Sequence, residues 1–357
     1  MDPNQETKKQ SLADRFREKW FPPAAVIGAF GAFVAAVFRI RPAAKAVQAP
    51  AKNTDLTSIS FTRPASSAVI LAREYRQSAV LGNAASAVPF RRSLEGIAMA
   101  AGGNIVALGD DEVRTFDPNG KLTRHWQAPA KASCIGVGPD DRVYMGVSGR
   151  VEIFDAGGAH AGGFTAGERD RPAAITAIKI FQNDILVADA AALLIRRYNS
   201  QGTQIGLIGT KSKTGKFMLP NKSLDLVVDA KGVVLATDTG RHQVTSWALD
   251  GSPLGAFGKF GMSDPADFVG CCNPVNLAVT PDGKVVTAEK MVARVKVFEP
   301  DGKLLAVIGP ENFDPACIHI YLAVDPQGRI LAADPVRREI KIFTQVKKEG
   351  RGAEAHE

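Results

Sequence analysis

Cysteine, histidine and aromatic residues are all scarce, with four cysteines, five histidines and 7% aromatics in 357 positions. Each shortage excludes something. Few rings, none interleaved with a basic stretch, exclude the stacking groove of a single-strand binder. The net charge of +7 does not restore a nucleic-acid partner. It arises partly at the termini, from Lys8, Lys9, Arg15, Arg17 and Lys19 at one end and Lys347, Lys348 and Arg351 at the other. No Gly-x-Ser-x-Gly elbow and no phosphate-cradling glycine loop occurs. The stretch KSKTGK, residues 211 to 216, lacks the spaced first glycine and reads as a solvated basic loop. Helix-forming stretches are sparse after residue 60, while 34 glycines and 21 prolines punctuate short apolar runs, so an all-β fold is expected. With 45% apolar residues the chain has enough material for a large core.

What is present begins with Phe21 to Phe38, FPPAAVIGAFGAFVAAVF, eighteen residues without a charge. As a helix it reaches roughly 27 Å, enough for a thin bilayer. Its prolines stand at the start, where a missing N–H costs least, and Trp20 and Phe21 sit where an interfacial anchor would lie. The flanking basic residues favour a cytoplasmic N-terminus. The expected organisation is a cytoplasmic segment 1–20, a transmembrane anchor 21–38 and a linker 39–66, then an extracytoplasmic domain 67–346 and a flexible tail 347–357. Ala44-Lys45-Ala46 keeps a cleaved signal open, and a buried or amphipathic helix is a third reading of the same run.

From residue 96 onward the chain repeats itself. Units start at Gly96, Cys134, Thr176, Asp225, Asn276 and Tyr321. Each holds four short apolar runs separated by turn signals, as in NLAVTPDGKVVTAEKMVARVKVFEPDGKLLAVIG, which predicts a four-stranded antiparallel meander. Such sheets bury their faces by stacking around an axis as propeller blades. The last unit stops at Phe343 in its third strand, and YRQSAVLGN, Tyr75 to Asn83, imitates the outer strands of the other units. An N-terminal strand completing the last blade would close a six-bladed ring and remove an open edge.

The stretch VLATDTGRHQVTSW, with Asp238, His242 and Val244, resembles the NHL-repeat propellers, and Pro220 and Pro274 are similar to the proline that precedes each inner strand of that family. The resemblance covers about residues 73 to 345. It implies a propeller that binds protein, RNA or ligand, or serves as an extracytoplasmic sensor, and in a few relatives a lyase or lactonase, so fold does not choose function. A lyase-type two-histidine zinc site has no matching spacing here. A gluconolactonase-like calcium site needs Glu, Asn and Asp at the channel mouth, for which Asn221, Asp225, Asn273 and Asn276 are the nearby candidates.

Four units carry an acid thirteen residues after their start: Asp189, Asp238, Glu289 and Asp334. Their recurrence in register points to turn-capping or blade-to-blade hydrogen bonds rather than a substrate ring. The cysteines are less settled. Cys272 and Cys317 occupy equivalent positions, four residues before Asn276 and Tyr321, whereas Cys134 starts an inner strand as a small hydrophobe. A disulfide from Cys317 to Cys271 or Cys272 is one expectation. A copper or zinc site, or reactive thiols, using Cys271, Cys272, Cys317 and His319 is a second, and unpaired structural cysteines are a third. The expected binding face carries Asn221, Lys222, Asn273, Asn276 and His319, and it would meet a protein partner or a small ligand.

Overall fold

The computed structural model describes residues 74–346. The anchor, linker and terminal segments expected at 1–66 and 347–357 lie outside the described residues, and no helix among the described residues is long and apolar enough to cross a membrane.

Six four-stranded antiparallel sheets form the blades. Blade 1 runs from inner strand Gly96–Met99 to outer strand Leu122–Gln127, blade 2 from Ala132–Val137 to His160–Thr165, and blade 3 from Ile175–Phe181 to Gln204–Ile208. Blade 4 runs from Leu226–Val228 to Pro253–Phe257 and blade 5 from Asn276–Val279 to Leu304–Ile308. Blade 6 begins at Tyr321–Val324 and takes its outer strand from the other end of the chain. Tyr75–Leu81 pairs antiparallel with Glu339–Gln345, Tyr75 opposite Gln345 and Leu81 opposite Ile340, with a bulge between Gln77 and Ala79. The ring is closed as the repeat pattern required. A two-residue-a-side hairpin, Gly167–Glu168 with Arg171–Pro172, is an addition that the repeat did not announce.

The middle strands are covered on both sides by neighbouring blades, which explains their near-continuous apolar sequences. VVTAE of blade 5 is buried throughout, whereas PLGAF, an outer strand, is largely exposed. Cores form between blades: Val286, Ala288, Val295 and Val297 of blade 5 pack with Ile330, Ala332 and Phe343 of blade 6. A meander of this kind puts two sets of connections on opposite faces. The turns inside each blade's first and second hairpins share one face. The turn between the second and third strands, and the long connection to the next blade, share the other, called the loop face below. Turn chemistry on the first face is local: Asp325 Oδ1 accepts from the backbone of Gln327 and Arg329, as Asp229 Oδ1 does from Lys231 and Val233.

Candidate functional site

The recurring acids build the loop face. Asp189 Oδ1 accepts from the N–H groups of Ala174, Ala191 and Ala192, and its other oxygen takes Arg196 at 2.8 Å. Asp238 accepts from Met218 N–H and from Arg241. Glu289 accepts from Val269 N–H, and Asp334 from the N–H groups of Asp314, Val336 and Arg337. Each carboxylate thus ties a blade's own turn to the connection that enters that blade. A fifth member, Asp110, holds the N–H groups of Arg91, Arg92 and Ser93 and pairs with Arg114. These bonds outweigh burial and hold its carboxyl below the usual range. It stands one residue out of register, and that offset hid it in the sequence.

In blade 5 the clamp is a buried charge network. Glu289 and Lys296 are both fully buried, with Lys296 Nζ 2.6 Å from Glu289 Oε1 and Arg294 Nε 3.0 Å from the same oxygen. Lys296 donates to Asp267 O and sits over the rings of Phe268 and Phe298. Burial outweighs Glu289 and lowers its ammonium to about 8.

This network positions the connection that carries GCCNP. Asn273 is completely buried, and its amide is spent inside the protein: Nδ2 donates to Val269 O at 2.5 Å and Lys290 O at 3.1 Å, while Oδ1 accepts from Lys290 N–H at 2.9 Å. Asn273 is therefore unavailable to a ligand, contrary to the sequence expectation. It fastens the cysteine loop to the turn holding Lys290 and Met291. The Asn273–Pro274 peptide is cis. Gly270 has φ +75°, and a Cβ there would lie 2.6 Å from Met291 Sδ, so only glycine lets that thioether rest against the loop.

All four cysteines are free thiols, and the expected bridge to Cys317 is not formed. The two thiols turn to different partners, Cys317 to His319 O and Asp334 of its own blade and Cys272 to Asn221 of the connection entering blade 4. Cys317 Sγ lies 2.8 Å from His319 O and 3.8 Å from Asp334 Oδ1, and burial with that acid pushes its thiol up to about 12. Cys272 is buried against Asn221 N–H and the thiol of Cys271, which is exposed, and burial raises its pKa. The four-member set Cys271, Cys272, Cys317 and His319 is likewise not brought together. Among the described residues no group of three or more His, Cys, Asp or Glu side chains is placed to hold a metal.

The inner strands meet at a narrow channel mouth of about 40 Å³ lined by Glu95, Thr176, Asp225, Asn276 and Tyr321, among others. Asp225 Oδ2 accepts from Asn276 Nδ2 at 3.2 Å and Leu277 N–H at 2.9 Å. The Oδ1 of Asn276 is buried with no hydrogen-bond partner among the described residues, as is Nδ1 of His319. His319 stacks on Tyr321 with ring planes 12° apart, and burial lowers its pKa. Desolvation carries the Tyr321 hydroxyl to about 12. Asn276 is thus at the mouth as expected, whereas Asn221 engages Thr239 through its carbonyl and Lys222 is exposed. Glu95 was not anticipated, although an acid directly before the first inner strand was a readable signal.

Around the cysteine loop the face is apolar and basic. Met262, Ile318 and Met291 are 78%, 65% and 63% exposed, with Phe260 and Met218 also open to solvent. Three of them are linked through short contacts: Met218 packs at Gly240, His242 meets Phe260 edge-on and Gly270 O at 2.7 Å, and Gly270 abuts Met291. The ammonium groups of Lys213, Lys222 and Lys290 have no carboxylate partner among the described residues. A cavity of about 760 Å³ lies on the opposite face among turns of blades 4 to 6. Turn bonds occupy the carboxylates of Asp229 and Asp325 there, so it offers little polar chemistry.

No family model matches the sequence, and no curated protein does. Solved structures do match. A streptogramin B lyase structure aligns at 12% identity over 77% of this chain and 98% of its own, TM-score 0.51. The WD40 propeller domain of Doa1 aligns at 11% over 76% and 98%, TM-score 0.51. A protein of unknown function from Bacteroides thetaiotaomicron aligns at 16% over 77% and 76%, TM-score 0.57. At these identities the likeness is one of fold: the chain is a six-bladed β-propeller, similar in architecture to lyases and to WD40 domains alike.

Proposed function

We propose that the propeller is a binding module whose loop face docks a protein partner, held at a membrane by the run Phe21 to Phe38. One observation carries the docking reading: the exposed side chains of Met218, Phe260, Met262, Met291 and Ile318 all lie in the connections and turns of the face that bears Lys213, Lys222 and Lys290, which have no carboxylate partner among the described residues. Single exposed apolar residues are ordinary, but a neighbouring set with methionine and phenylalanine marks a recognition surface. The lysines favour an acidic partner. The anchor rests on its eighteen uncharged residues and flanking bases. The test is photocrosslinking in cells from position 262 and, as a control, from position 254 on an outer strand. A discrete adduct from 262 that disappears in Phe260→Asp is expected. No adduct at 262, or the same adduct at 254, would sink the docking reading. Recovery of the uncleaved chain in the soluble fraction would sink the anchor.

A gluconolactonase-like hydrolase is the second reading. The unpartnered Oδ1 of Asn276 beside Asp225 and Glu95 supports it, since that trio suits a hard cation. Calcium-dependent stabilisation abolished by Asp225→Asn, with lactone hydrolysis, is its required outcome.

A further inference from the structure

The loop GCCNP carries two thiols, and the neighbouring turn lays a thioether against the glycine that precedes them. Cys271 is exposed, Cys272 is the next residue, and their thiols are hydrogen-bonded to each other. Met291 Sδ rests on Gly270, immediately before the pair, and Met291 is exposed enough to turn its thioether toward them. Three features maintain the arrangement. Asn273 bolts the loop to Lys290, the neighbour of Met291. Gly270 leaves room for the thioether, and a φ of +66° at Cys272 sets the pair's orientation. Cys317 and His319 are committed elsewhere, Cys317 to its own blade and His319 to a stack on Tyr321.

We propose that Cys271, Cys272 and Met291 form a binding site for one soft monovalent cation, Cu(I). The donor set selects the metal: two thiolates and a thioether suit Cu(I), whereas zinc takes thiolate, imidazole or carboxylate and makes little use of a thioether. Binding replaces the two thiol protons, which pass to solvent, with one Cu⁺ and involves no change of oxidation state. The resulting site carries one negative charge. Lys290, close enough to Cys272 to act on its charge and without a carboxylate partner, faces that charge. The site shares Met291 and Lys290 with the proposed docking face, but copper retention is read on the protein without any partner, so the two readings fail separately.

The test is anaerobic titration of the reduced full-length protein with Cu(I) against a chromophoric copper(I) chelator, followed by X-ray absorption. One equivalent held in all-sulfur coordination is expected. Cys271→Ser should abolish retention, and Met291→Leu should keep copper while removing one sulfur from the coordination shell. Cys134→Ser and Cys317→Ser should bind as the parent does. Because Cys272 is buried and its substitution risks misfolding, the exposed positions 271 and 291 bear the decision. Failure to hold copper against the chelator overturns the proposal, as does retention unchanged in Cys271→Ser. An unchanged sulfur shell in Met291→Leu overturns the role of the thioether.

Discussion

Asn273→Ala tests whether one buried amide organises the loop face. It removes two donations, to Val269 O and Lys290 O, and one acceptance, from Lys290 N–H. Each such bond contributes about 1 kcal/mol net, and the groups left behind are buried, so about 3 kcal/mol of local stability should go. At 1.4 kcal/mol per tenfold, that is a roughly hundredfold rise in local opening. The loss should concentrate in residues 269–275 and 290–291, because Asn273 joins those two segments and no others. Native-state hydrogen exchange resolves it. The amide of Val275, which donates to Ala288 O, and that of Val269, which donates to Glu289, should exchange about a hundredfold faster, while blade 2 amides stay as they were. Under the copper proposal the variant should also bind Cu(I) more weakly. Exchange unchanged at Val269 and Val275, or accelerated equally in all blades, would refute the reasoning.

Other expectations follow from the same contacts. The ammonium of Lys296 lies at about 8 against 10.5 when exposed, so the unfolded chain binds more protons between those values. The contribution of Lys296 to stability should therefore rise with pH across that window, by up to about 3 kcal/mol at 1.36 kcal/mol per unit, and it is read as the pH-dependent difference in urea midpoint between the parent and Lys296→Met, since the buried thiols and Tyr321 pull the other way in both proteins. Under native reducing conditions one thiol, Cys271, should react promptly with a disulfide reagent, and Cys134, Cys272 and Cys317 only slowly; fewer than four thiols after denaturation would contradict the structure. Deleting the chain through residue 83 strips the outer strand from Glu339–Gln345 and should yield concentration-dependent association by light scattering. A monomer with unchanged melting would count against the closure.

The repeat was legible because burial on both faces imposes the same apolar runs and turn residues on every blade, so six inner strands and even the displaced outer strand at Tyr75 could be read directly. The acids at Asp189, Asp238, Glu289 and Asp334 were legible for the same reason, while Asp110 escaped through an offset of one residue. What the linear chain could not show was direction. The repeat placed Cys272 and Cys317 at matching positions, which read as a pair, yet Cys317 turns into its own blade and Cys272 toward Asn221 of the connection entering blade 4. Asn273 read as a surface amide and is a buried fastener. Glu95 and Met291 lay outside any motif, because their neighbours come from other blades or from the far side of a turn. The chain by itself determined the propeller, its closure and its turns, since those depend on local periodicity. Only the tertiary structure decided which polar and sulfur groups remain free to meet a ligand, because that depends on how each side chain's hydrogen-bonding capacity is used up across blade boundaries.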